Sequence, residues 1–232
     1  MDFRDRHVVV TGGTGALGTA VVSALTEKGA FCHVPLHSDQ KPGGDTHPLH
    51  ERVTLYPGID LADQDQVDAL YAKIRPLWAS IHLAGGFAAK PIAKSSKADL
   101  MAQLNTNLVS CFLCCRAALT AMPRDRGGRI VNVAARPALE WRTGAGMTAY
   151  TIAKAGVAAL TAALAEEVAK DGVLVNAVAP SIMDTPANRK AMPKADHALW
   201  PKVEEVAATI LFLASPGNAV TRGAVVPVYG RS

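Results

Sequence analysis

Aromatic side chains are scarce in this chain of 232 residues: Phe, Tyr and Trp together make up 5%. Charge of either sign is not concentrated, since 24 Lys+Arg against 20 Asp+Glu leave only +4. The densest basic stretch, Arg124-Asp125-Arg126-Gly127-Gly128-Arg129, is broken by an acid and a turn, so nothing calls for a nucleic-acid partner. No apolar run approaches the roughly eighteen residues that span a bilayer, and the first ten residues hold no signal-peptide core. Four cysteines in a chain this long are not a disulfide scaffold. The expectation is a cytoplasmic protein without membrane or nucleic-acid partners. With 49% apolar residues and 19% charged, the chain has material for a sizeable core.

Short β-branched runs alternate with longer amphipathic segments. His7–Val10, Phe31–Leu36, Val53–Tyr56, Ser80–Ala84, Arg129–Ala134, Val173–Val178 and Val225–Tyr229 read as strands. Helical periodicity runs over 15–28, 63–75, 98–122, 148–170 and 203–214. Parallel neighbours need crossovers, so this alternation predicts an α/β fold: a doubly wound, Rossmann-type parallel sheet of seven strands with helices on both faces, in one domain over 1–232. Two stretches resist assignment. His37–Arg52 holds two prolines, two glycines and three histidines, and 181–201 holds Pro186, Pro193 and Pro201. The second follows the sixth strand, on the rim where open α/β sheets bind ligands, and is expected to be a lid.

Directly after the first strand comes Thr11-Gly12-Gly13-Thr14-Gly15-Ala16-Leu17-Gly18, then a helix. Glycines let the backbone turn sharply and approach a pyrophosphate, whose charge meets the helix N-terminus. The strand before it and the helix after it favour dinucleotide binding over a turn packed for its own sake. An acid ending the second strand would bond the ribose 2′-hydroxyl of NAD. Here that segment reads Val34-Pro35-Leu36-His37-Ser38, and His37, Ser38 and Lys41 instead suit a 2′-phosphate. The cofactor expectation is NAD(P)H, leaning to NADP.

Tyr150 and Lys154 stand four residues apart on a helical segment, hence on one face. An ammonium beside a phenol favours phenolate, so Lys154 is expected to lower the Tyr150 pKa. Such a tyrosine can pass a proton while hydride arrives from a nicotinamide.

In one order along the chain stand the glycine turn, Ala84-Gly85-Gly86, Asn107, Tyr150 with Lys154, Asn176-Ala177-Val178-Ala179-Pro180 and Thr221-Arg222-Gly223-Ala224. This series resembles the short-chain dehydrogenase/reductase family across nearly the whole chain. The resemblance implies one bound NAD(P)(H), Tyr150 as general acid/base, and Lys154 as holder of the nicotinamide ribose. It implies Asn107 as support for a water and the lysine, Asp60-Leu61 as the frame for adenine, and Pro180, Ser181, Ile182 and Thr185 as the nicotinamide cradle. It further implies a small-molecule substrate and a homodimer or homotetramer.

The departures carry information. The family's catalytic serine falls at Ala135, the Asn of its NxAG stretch is His82, and the Gly after Pro180 is Ser181. The alanine, the Ala84-Gly85-Gly86-Phe87 stretch and the segment from Met183 to Asp196 resemble the dihydropteridine reductase subgroup. That implies a flat heterocyclic substrate, with Phe87, Ala135 and Thr143 near it. Phe87 either stacks on the substrate or only lines the pocket, and Thr143 is a better candidate to replace the lost hydroxyl than Thr148, which stands two residues from Tyr150 and points away on a helix. Two alternatives stand beside this reading: a carbonyl or alcohol oxidoreductase of the same family, and an inactive dinucleotide-binding regulator. No metal site is expected: Cys111, Cys114 and Cys115 lack a second ligand cluster at zinc spacing and read as small buried hydrophobes, one or two of them at a dimer interface.

Overall fold

The computed structural model describes residues 1–37, 51–123 and 127–232. Seven strands form one parallel sheet in the order β3-β2-β1-β4-β5-β6-β7. They are β1 (His7–Thr11), β2 (Phe31–Pro35), β3 (Val53–Tyr56), β4 (Leu77–His82), β5 (Gly128–Val133), β6 (Val173–Pro180) and β7 (Val225–Val228). All seven expected strands are present, and β4 begins three residues before the predicted start. Burial on both faces explains the near-continuous apolar reading of the central strands.

Helices α1 (Ala16–Thr26), α2 (Gln64–Ala72), α3 (Lys97–Gln103), α4 (Ser110–Ala121), α5 (Arg136–Leu139), α6 (Thr148–Glu167), α7 (Pro186–Ala191) and α8 (Val203–Ala214) complete the chain. One layer of the core packs α2, α4 and α6 against the sheet, with Leu70, Tyr71, Cys114 and Val157 inside it. The other packs α1 and α8, around Val21, Leu25, Ile210 and Leu213. By length and composition α6 is apolar enough to cross a bilayer, a property the reading of apolar runs did not register. Here one of its faces lies on β5 and β6 and buries Lys154.

Two segments depart from expectation. The predicted helix over 98–122 is three pieces: α3, a π-helical stretch at Leu104–Val109, and α4. A π turn adds a residue per turn and swings side chains sideways, which sequence periodicity does not reveal. The stretch 181–201 is not all loop. Thr185 caps α7 by accepting from the Asn188 N–H at 3.2 Å, Pro186 takes the first helical position, and a 3₁₀ turn follows at His197–Leu199. Of the other resistant stretch, 38–50 lies outside the described residues.

The strand order reverses between β1 and β4. Neighbouring crossovers leave to opposite faces there, and a crevice opens beyond the carboxyl ends of the strands. That crevice holds the site.

Candidate active site

A cleft of about 800 Å³ lies at this switch point, lined by Gly12, Thr14, Gly15, His37, Asp60, Leu61, Ala84 and Gly85 among others. Eight of the residues assigned to the cofactor from sequence thus share one cavity. Ser38 lies outside the described residues. Ala16, Leu17 and Gly18 form the first turn of α1 behind the lining.

The glycines serve different ends. Gly12 has φ +65°, and a Cβ there would stand 2.7 Å from the Ala84 nitrogen. At Gly18 a Cβ would meet the Gly12 carbonyl at 2.1 Å. Both are glycine because backbone packs on backbone. A Cβ at Gly15 would meet, among the described residues, only the Gly12 carbonyl at 3.4 Å, and Gly15 is exposed toward the cleft. It is also the N-cap of α1, with no side chain capping the helix. First-turn N–H groups that no side chain among the described residues caps, beside an open glycine, fit a phosphate.

Leu36, buried at the end of β2, takes the place of the ribose-binding acid, and the exposed His37 follows on the cleft wall. Asp60 uses its carboxylate locally, accepting from the Ala62 N–H at 2.9 Å, so Asp60 and Leu61 present a fixed turn to the cleft.

Gly85 joins the cleft to the polar residues beyond it. A Cβ at Gly85 would lie 2.8 Å from Asn107 Oδ1 and 3.4 Å from Lys154 Nζ. The π-helical stretch turns Asn107 inward, fully buried. Its Nδ2 donates to the Gly86 carbonyl at 2.9 Å and its Oδ1 accepts from the Gly86 N–H at 3.2 Å. Asn107 therefore holds the Ala84-Gly85-Gly86 strand end in place, a positioning contact beyond the role its resemblance implies.

Lys154 Nζ donates to the Val133 carbonyl at 2.8 Å and lies 6.0 Å from the Tyr150 ring centre. Burial lowers its pKa from 10.5 to about 8, opposed only by Cys111. Burial pushes the Tyr150 phenol up from 10.0 to about 12. The expected drop is not found: desolvation outweighs a lysine that sits over the ring and bonds a carbonyl. Tyr150 is thus a fully protonated phenol at neutral pH, in the state of a proton donor.

Phe87 stands edge-on to Tyr150, with ring centres 5.1 Å apart and planes at 83°, and is 64% exposed. Ala135 is buried and offers only a methyl. Thr143 donates its hydroxyl to the Glu140 carbonyl at 2.8 Å within a 3₁₀ turn, so that proton is already committed. Pro180 ends β6, Ser181 donates to the Tyr229 carbonyl at 2.9 Å, Ile182 is partly exposed and Thr185 caps α7. None of these four lines the cleft that holds Gly15 and Asp60. The cysteines do not face a partner: Cys32, Cys111, Cys114 and Cys115 are all buried within the chain.

The family described as short chain dehydrogenase matches residues 6–196. This chain belongs to it. Galactitol 2-dehydrogenase of Rhizobium johnstonii is 33% identical, over 96% of this chain and 93% of that one. The cis-4-hydroxycyclohexanecarboxylate dehydrogenase of Sinomonas cyclohexanicum is also 33% identical, over 98% and 96%. The solved structure titled ElxO with NADP bound superposes with a TM-score of 0.89 at 24% identity, over 97% of this chain and 98% of that one, a likeness of fold. The short-chain protein is an NAD(P)-dependent oxidoreductase, and its relatives act on varied substrates.

Proposed function

We propose that this short-chain enzyme reduces a small, flat heterocyclic substrate at the expense of NAD(P)H, in the manner of dihydropteridine reductases, with Tyr150 as proton donor. The observation that carries the reading is that the buried Ala135, where the resemblance puts a serine, offers only a methyl. A ketone needs its oxygen polarised by donors as hydride arrives, and position 135 has none to give. A ring imine needs chiefly a proton at nitrogen, which Tyr150 holds. Phe87, exposed in a chain poor in aromatics, offers a face or edge for a flat ring.

The dinucleotide supplies hydride. Gly15 and the start of α1 would hold its phosphates, Asp60 and Leu61 would frame its base, and Lys154 would anchor the nicotinamide ribose. Pro180, Ser181, Ile182 and Thr185 close the rim. Leu36 in place of an acid, with His37 beside it, favours NADPH. The exposed Phe112 on α4 and Ile152 on α6 support a homo-oligomer built on those helices.

A second reading, oxidation or reduction at an alcohol carbon, is favoured by the relatives named for polyol and hydroxy-acid dehydrogenation. Titration with NADPH and NADH, followed by an acceptor panel containing quinonoid dihydropterin and simple ketones, separates the two. Turnover of the pterin supports the first reading. Turnover of ketones alone replaces it with the second, and binding without any turnover would leave a dinucleotide-binding regulator.

A further inference from the structure

Behind Lys154, on the α2–α4–α6 side of the sheet, the mechanism leaves a buried group of soft donors unused. Cys111 and Cys115 lie four residues apart on one face of α4, His82 ends β4, and Asn132 is on β5. His82 Nδ1 lies 3.9 Å from Cys111 Sγ and 3.6 Å from Cys115 Sγ. Asn132 Oδ1 lies 3.3 Å and 3.5 Å from the same two sulfurs. The three His and Cys ligand atoms all fall within 4.8 Å of one another, and all three residues are buried.

We propose that His82, Cys111 and Cys115, with Asn132 Oδ1 as fourth ligand, form a binding site for a soft divalent cation, zinc foremost. Bond lengths of about 2.3 Å to sulfur and about 2.0 Å to nitrogen put tetrahedral S···N edges at about 3.6 Å. The observed S···N separations of 3.6 and 3.9 Å lie within about 0.3 Å of that edge. The 2.8 Å contact between His82 Nδ1 and Asn132 Oδ1 must widen by about half an ångström for the same geometry, and the 3.3 Å contact between Cys111 Sγ and Asn132 Oδ1 by about 0.3 Å.

The surroundings orient the ligands. Thr161 gives its hydroxyl proton to the Val157 carbonyl at 2.8 Å, so it accepts from Asn132 Nδ2 at 2.9 Å. That fixes the amide and turns Oδ1 toward the cysteines. On the other side His82 Nε2 meets the Ser80 hydroxyl at 2.8 Å, which meets the Tyr71 hydroxyl at 2.7 Å. With its proton on Nε2, donated to Ser80 Oγ, the imidazole turns a lone pair on Nδ1 to the ion. The proton balance closes: the imidazole stays neutral by changing tautomer, and two thiol protons leave to solvent as two metal–sulfur bonds form. Two thiolates and one divalent cation sum to zero, which suits an interior that tolerates no net charge. The ion would tie α4 to β4 and β5 directly beneath Lys154, whose acceptor Val133 follows Asn132 on β5. Sequence spacing concealed the site, because its histidine lies 29 residues before Cys111 and joins it only where α4 packs on β4.

The test is the metal content of the full-length protein, expressed in zinc-supplemented medium and purified without chelator. About one zinc per chain is expected in the wild type and in Cys114→Ser and Cys32→Ser, with loss of most of it in Cys111→Ser and Cys115→Ser. Circular dichroism verifies that the variants are folded. Wild type produced with cobalt(II) gives an independent readout, a thiolate-to-cobalt charge-transfer band with tetrahedral d–d absorption. A wild type that carries neither zinc nor cobalt overturns the proposal, as does a folded Cys111→Ser/Cys115→Ser double variant that keeps its metal. The cluster is then a hydrogen-bond network alone.

Discussion

Replacing Lys154 by Met tests the electrostatics of the site apart from turnover. Burial lowers the lysine from 10.5 to about 8, which at about 1.4 kcal/mol per pH unit corresponds to about 3 kcal/mol. In the unfolded chain the lysine keeps its proton up to 10.5. Between pH 8 and 10.5 the unfolded state therefore binds one more proton than the folded state, and folding gains stability as pH rises. The contribution is complete above 10.5 and is lost as pH falls to about 8, below which it stays constant. Methionine, of similar length and without charge, removes this dependence. Tyr150, held at about 12, titrates in both proteins and cancels in the difference. Urea unfolding from about pH 7 to about pH 10.5 is the assay. Wild-type stability minus that of Lys154→Met should rise by about 3 kcal/mol over this range. A difference that stays flat would refute the claim that desolvation governs this lysine, and with it the account of why Tyr150 keeps its proton.

Gly18→Ala should unfold or severely destabilise the protein, because its Cβ meets the Gly12 carbonyl at 2.1 Å. Gly15→Ala, whose added Cβ meets among the described residues only the Gly12 carbonyl at 3.4 Å, should melt within a few degrees of wild type yet bind dinucleotide at least about tenfold more weakly in a fluorescence titration. Equal effects of the two substitutions on melting temperature would contradict the division of labour between these glycines. Leu36→Asp, which restores an acid at the end of β2, should shift the NADH-to-NADPH affinity ratio toward NADH by about tenfold or more. Ala135→Ser should raise ketone turnover if the alcohol-carbon reading is right. It should leave pterin reduction nearly unchanged if the heterocycle reading is right.

The strands were legible because burial on both faces leaves a run of Val, Ile and Ala in each central strand, and Gly or polar residues punctuate them. α8 was predicted at its observed limits, since Val206, Ile210 and Leu213 recur at helical spacing and Ser215 follows directly. α7 carried its own signal, a Thr185-Pro186 start, which the prolines around it obscured. The π-helical stretch had none: its apolar spacing passes for a continuous helix, and only packing selects the extra residue. For the site, motif order brought Gly12, Asp60 and Ala84 to the same rim, because parallel strands all end there. Depth was not legible. That Lys154 and Tyr150 are shifted by desolvation depends on what covers them, and the meeting of His82 with Cys111 depends on which helix packs on β4.

The central claim is that Tyr150 delivers the proton while a bound dinucleotide delivers hydride. It is tested most directly by comparing wild type with Tyr150→Phe, following loss of reduced nicotinamide with the acceptor the panel identifies, alongside NADPH affinity. The account predicts turnover lower by about 10²-fold or more with affinity within about twofold of wild type. Turnover unchanged in Tyr150→Phe would contradict it.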